Sequence, residues 1–208
     1  EVVAVDTASR AWDAAAAYAA VRGEAERLRE AGAAVIYKKV DGIVLDLSHN
    51  GGGVLGEAVR IGGLFIRKGN IVETQDSGGR VELLADLDST MDYSGPLVVL
   101  TSRLSASASE IVAGALRDYK RAVIVGSDHT FGKGTVQAVM KLRDDLGAIK
   151  VTTGMFFTPG GDSTQERGVP SDVIIPSAFV SKEFSESALD YALPKKSLQP
   201  FLSPEAND

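Results

Sequence analysis

Ile43-Val44-Leu45-Asp46-Leu47-Ser48-His49-Asn50-Gly51-Gly52-Gly53 decides the fold reading, because an apolar, β-branched run ends there in a polar, glycine-rich loop. A run that is apolar at nearly every position reads as a strand buried on both faces. Val54 to Leu64 then set Leu55, Ala58 and Val59 at helical spacing, so the loop joins a strand to a helix. The unit recurs. Pro96 to Thr101 reads as a second buried strand, followed by a loop over Ser102–Ser109. Val112, Ala115, Leu116 and Tyr119 follow at i, i+3, i+4 and i+7, which predicts a helix from about Ala108. Ala122 to Val125 supplies a third strand. Successive strand–loop–helix units predict an α/β domain with helices layered on a sheet.

Further from this centre, Asp76 to Arg80 reads as a polar turn between two extended stretches. Thr135–Leu142 and Ala148–Phe157 read as a hairpin turning at Asp144–Gly147, broken after Phe157 by Thr158-Pro159-Gly160-Gly161. Val173 to Ile175 is a last short strand. Residues 1–40 read differently. Glu1 to Val5 is a short strand, Ala8 to Ala31 an alanine-rich helix on which Trp12 packs, Gly32 its stop, and Ala33 to Tyr37 another strand. The expected division is an N-terminal helical segment (1–40), a core (41–182) and a polar C-terminal tail lying on the surface (183–208).

The chain has 208 residues, 44% hydrophobic and 24% charged, as for an ordinary globular domain. Its net charge of −6, with no lysine–arginine run, argues against nucleic acid or anionic membrane as the main partner. Apolar runs such as Pro96 to Leu100 are too short to span a bilayer, and no signal peptide is read at Glu1. There are no cysteines, which excludes disulfides and thiolate chemistry. His49 and His129 stand in no metal-ligand spacing, so neither a metal site nor a cofactor is expected.

Both loops follow a buried strand and precede a helix, where α/β folds place ligands. Free backbone N–H groups at the helix starts, with glycines that allow close approach, can form an oxyanion hole. Ser105, Ser107 and Ser109 are all candidate nucleophiles, and each could instead cap the helix. A serine needs a base. Lys133, between Gly132 and Gly134 and just ahead of an apolar strand, can point inward, where desolvation would lower its pKa. Gly51–Gly53 is no nucleotide loop, since no Gly-Lys-Ser/Thr follows.

Ser-Ala-Ser-Ala-Ser-Glu-Ile (105–111) with Phe-Gly-Lys-Gly-Thr-Val-Gln (131–137) resembles the tail-specific, or carboxyl-terminal processing, peptidases. The resemblance continues in Ile43–Gly53, Gly63–Ile66, Gly95–Leu100 and Ser163–Pro176. It implies a crotonase/ClpP-like layered fold and a serine–lysine protease core, here without the PDZ domain that members usually carry. It implies Ser107 as nucleophile, Lys133 as base, and Gln137 as the residue that orients the lysine, since i and i+4 share one side of a strand. Backbone N–H groups of Gly52 and Ala108 would form the oxyanion hole. Ser107 and Lys133 are 26 residues apart, one more than is common in that family, with Ser127–Thr130 able to absorb the extra residue. The implied activity is an endopeptidase acting near unstructured, apolar C-termini of proteins, in the bacterial periplasm or cell envelope. A membrane-associated or adaptor partner and an oligomer are compatible with it. A catalytically silent peptide-binding or assembly protein is the alternative on the same fold. An acyl-CoA enzyme of the same fold would need an acid/base carboxylate and an adenine pocket instead.

Overall fold

A computed structural model of the chain describes residues 2–6, 40–143, 146–177, 181 and 183–207. The helix expected over Ala8–Ala31, its stop at Gly32, the packing of Trp12 and the strand at Ala33–Tyr37 lie outside the described residues. The first strand, β1 (Val2–Asp6), lies within them.

The remaining elements follow the sequence closely. They are β2 (Gly42–Asp46), α1 (Leu55–Gly63), β3 (Gly69–Asp76), β4 (Val81–Asp86), β5 (Leu97–Thr101), α2 (Ala108–Asp118), β6 (Val123–Gly126), β7 (Thr135–Lys141), β8 (Ala148–Phe157) and β9 (Val173–Ile174). They build two sheets. One is parallel, in the order β1-β2-β5-β6-β9, and the other antiparallel, in the order β4-β3-β8-β7. The layered α/β architecture expected from the strand–loop–helix repeat is therefore present, and the second sheet is made of the β3–β4 and β7–β8 hairpins.

The core lies where α2 meets both sheets. Ser109 to Leu116 are all buried, so this helix is covered on every side rather than along one stripe. It packs against α1, β3 and β6. Leu45, Val99 and Ile124 come to the core from the parallel sheet, and Ile71, Val72 and Phe156 from the antiparallel one. Each such side chain, fully buried, contributes about 1.5–3 kcal/mol. Ala58 is buried, and Leu55 and Val59 pack partly buried against this core, as their helical spacing predicted. In β5, Leu97, Val99 and Thr101 are buried while Val98 and Leu100 are half-buried, so the described residues cover one face of this strand more fully than the other.

The stretch 183–207 lies on the surface as expected, with most of its described residues exposed, and it is tied down there by hydrogen bonds. Ser163 N–H donates to the Lys196 carbonyl (3.1 Å), Leu198 N–H to Gly161 (2.6 Å) and Phe201 N–H to Pro159 (2.9 Å). Beyond that, the Asn70 carboxamide donates to the Phe201 carbonyl at 2.6 Å, and Arg67 N–H donates to the carbonyl of Ala206, which is fully buried. Its polar composition concealed this role, because most of these contacts use the backbone, which carries no side-chain signature.

The Tyr119 hydroxyl ties the C-terminal stretch to β3. It donates to the Asn70 carbonyl at 2.9 Å and accepts from Ser203 N–H at 3.0 Å. Tyr119→Phe leaves both backbone groups unanswered and is expected to lower stability by about 1–3 kcal/mol in urea unfolding. An unchanged unfolding midpoint would contradict this role.

Candidate active site

Ser105, Ser107 and Ser109 share one loop but not one role. The Ser105 hydroxyl is buried, donating to the Leu47 carbonyl (2.7 Å) and accepting from Ser102 N–H (2.9 Å). The Ser109 hydroxyl donates to the Asn50 carbonyl (2.9 Å). Both fasten the serine loop to the loop after β2. Ser107 stands apart. Its side chain is half-buried, and its backbone, with φ 57° and ψ −116°, is in a conformation that non-glycine residues rarely adopt. A serine on a sharp, strained strand-to-helix turn is the geometry that presents a nucleophilic hydroxyl.

Gly52 explains how the two loops meet. At φ 106°, a Cβ added there would lie 2.7 Å from the Ala106 carbonyl oxygen, 2.8 Å from Ser107 Cβ and 3.0 Å from Ala108 N. The glycine is required because the serine turn is pressed against it. Its own N–H donates to Asn50 Oδ1 at 2.9 Å. Ala108 N–H opens α2, where no preceding helical turn supplies a carbonyl. Asp46 Oδ1 accepts from Ser48 N–H at the same strand end.

Lys133 lies in the turn before β7, half-buried, with Nζ donating to the Thr135 carbonyl at 3.1 Å. Burial lowers its pKa from the ordinary lysine value, and the Lys150 ammonium adds to this, while Glu186 and Glu110 pull the other way. Gln137 is exposed on β7, opposite Thr152 and next to a bulge. Because Lys133 stands ahead of the strand, the i, i+4 alternation that linked it to Gln137 does not apply to this pair.

The serine turn and the lysine turn are joined by a residue to which the sequence reading gave no role. Glu110 is fully buried. Its Oε2 accepts from Ser107 N–H (2.7 Å) and Lys133 N–H (2.9 Å), and its Oε1 from Gly132 N–H (2.7 Å) and the Thr130 hydroxyl (2.5 Å). With one oxygen shared, the backbone nitrogens of Ser107 and Lys133 are no further apart than the sum of 2.7 and 2.9 Å. Burial pushes the Glu110 pKa up to about 7, against the four donors that favour the carboxylate. A capping glutamate at the third helical position is visible in the sequence, but its reach to residues 130–133 is not.

A second fastening lies alongside. The Arg103 guanidinium makes a two-pronged pair with Asp128 at 2.8 and 2.7 Å, holding the Ser127–Thr130 turn. This pairing lowers the Asp128 pKa. His129 Nδ1 lies 2.5 Å from the Thr130 carbonyl in this turn, and His49 is exposed beside Ser48. Asp118 accepts from Gly160 N–H (2.7 Å), away from these turns.

The profile of peptidase family S41 matches residues 13–175. The chain belongs to this family. The S41 match opens inside the segment 1–40 that the sequence reading set apart. The chain is 42% identical over 163 residues to the tail-specific protease of Haemophilus influenzae, covering 75% of this chain and 23% of the relative. It is 40% identical over 146 residues to the carboxy-terminal-processing protease of Bartonella bacilliformis, covering 69% and 33%. Among solved structures, the photosystem II D1 C-terminal processing protease matches with a TM-score of 0.64 and 34% identity, over 84% of this chain and 42% of that one. The chain thus spans a quarter to a third of the length of these two curated relatives. No helix among the described residues is long and apolar enough to cross a membrane.

Two substitutions probe this site. Gly52→Ala, which forces a Cβ into the serine turn, is expected to abolish reaction of the loop with a serine-directed fluorophosphonate. Unchanged labelling would show that the close approach is dispensable. Glu110→Gln keeps the volume but turns an amide toward backbone donors, costing about 1–3 kcal/mol for each N–H left without an acceptor. Thermal unfolding and fluorophosphonate labelling should both fall, and a fully stable, fully reactive variant would contradict the pin.

Proposed function

We propose that the chain carries the catalytic core of a serine endopeptidase working through a Ser107–Lys133 dyad and an acyl-enzyme. The observation that supports it most is the single Glu110 carboxylate holding the backbones of both residues. Neutral Lys133 takes the Ser107 proton as Oγ attacks the peptide carbonyl carbon. The tetrahedral oxygen is met by Ala108 N–H and by the glycine loop. Collapse breaks the C–N bond, and the departing amine takes the proton from Lys133. Water then loses a proton to Lys133 and attacks the ester, and Ser107 recovers its proton.

Gly52 can serve as the second donor once the Asn50 carboxamide turns away from its N–H. The exposed Gly53 N–H beside it has no partner among the described residues and is the other candidate in the loop. Gln137, on the exposed side of β7, would act on the lysine when substrate brings the two together. Val54, 67% exposed beside the glycine loop, offers an apolar wall. With the relatives' names, tail-specific and carboxy-terminal-processing protease, it favours substrates cut near an apolar C-terminus.

A peptide with an apolar, unstructured C-terminus should be cleaved by the chain. Ser107→Ala and Lys133→Ala should each lower kcat/KM by at least about a hundredfold. The rate should rise with pH as Lys133 loses its proton. Because burial lowers that pKa, the ascending limb should lie below the pH at which an exposed lysine titrates. An intact peptide with the wild-type chain would favour the silent peptide-binding reading, and full activity in Lys133→Ala would remove the base.

A further inference from the structure

The turn Phe131–Gly134 has every backbone polar group answered, and half of the partners come from one place. On the serine side, Phe131 N–H donates to the Ser105 carbonyl, and Gly132 and Lys133 N–H donate to Glu110. The Gly134 carbonyl accepts from Phe156 N–H in β8. On the opposite side, Gly132 O accepts from Glu166 N–H (2.8 Å), Lys133 O from the Thr164 hydroxyl (3.2 Å) and Phe131 O from Glu186 N–H (2.9 Å). Gly134 N–H donates to Gln165 Oε1 at 2.9 Å.

Gln165 is fully buried, and its other end reaches the C-terminal stretch. Nε2 donates to the Leu193 carbonyl (3.0 Å) and faces Glu186 Oε1 at 3.4 Å. The lysine turn is pressed onto it, since a Cβ at Gly134 would lie 2.5 Å from Gln165 N and 2.9 Å from Gln165 Cβ. One carboxamide therefore connects the base turn to a carboxylate and a carbonyl more than twenty residues away. The charged groups that act on Lys133 come from three further elements: Glu186 from this stretch, Lys150 from β8 and Glu110 from α2.

We propose that the stretch around Glu186, acting through Gln165, is a strap that positions the base turn and sets the charge balance at Lys133. Gln165 and Glu186 are positioning residues and touch no substrate. The inference rests on Lys133 being the base, as read above.

The test follows the titration of Lys133 by carbon-13 NMR of the labelled lysine Cε, which needs no turnover, with the pH dependence of fluorophosphonate labelling in parallel. Glu186→Gln removes a negative neighbour and should move the lysine titration to lower pH by about half a unit. Gln165→Leu, provided that it folds by circular dichroism, should slow labelling about 10- to 100-fold by loosening the turn. If Glu186→Gln leaves the lysine titration in place, the strap is refuted. A titration shift in Glu186→Gln, with a wild-type chain that takes no label, refutes the peptidase reading and leaves the strap standing.

Discussion

Everything proposed for this site depends on one buried carboxylate. Glu110 accepts from four donors in three places: the serine turn, the lysine turn and Thr130. The Thr130 hydroxyl in turn accepts from Val169 N–H at 2.7 Å, which brings in the segment leading to β9. Burying a carboxylate is unfavourable unless its oxygens are satisfied, and here each oxygen has two donors. The cost is visible as a pKa raised to about 7. The carboxylate spends that cost on registration, fixing two turns far apart in sequence against each other to within hydrogen-bond tolerance.

Around that pin the two halves of the site are held in different ways. The serine turn is strained and braced from below by the neighbouring hydroxyls of Ser105 and Ser109, which reach carbonyls of the loop after β2. The lysine turn is unstrained at Lys133 itself but saturated with hydrogen bonds, from α2 on one face and from residues 164–166 and 186 on the other. The Arg103–Asp128 pair closes the remaining gap between the strand ends of β5 and β6. In this arrangement the parallel sheet supplies the serine turn, and the lysine turn comes from the junction of the two sheets.

Much of this was legible in the sequence. Buried strands and amphipathic helices announce themselves by period, so β2, β5, β6, α1 and α2 were placed within a residue or two, and the β8 boundaries coincide with those expected. The glycine loop and the serine loop were placed together because both end buried strands. The remainder was hidden for physical reasons. Gln165 and Glu110 look like ordinary polar residues in motifs, and only tertiary contact shows what their atoms reach. The polar stretch 183–207 docks largely through backbone groups. The link from Lys133 to Gln137 rested on strand alternation, which begins only at Thr135. Nothing in the Ser127–Thr130 stretch hinted that Asp128 would be gripped by Arg103.

The central claim, that Ser107 alone among the three serines of its loop is the activated nucleophile, is tested most directly by peptide mapping after reaction with a fluorophosphonate. The account predicts one adduct, on Ser107, with Ser105 and Ser109 unmodified. An adduct on either neighbour, or no adduct on a folded chain at a pH where Lys133 is neutral, would contradict it.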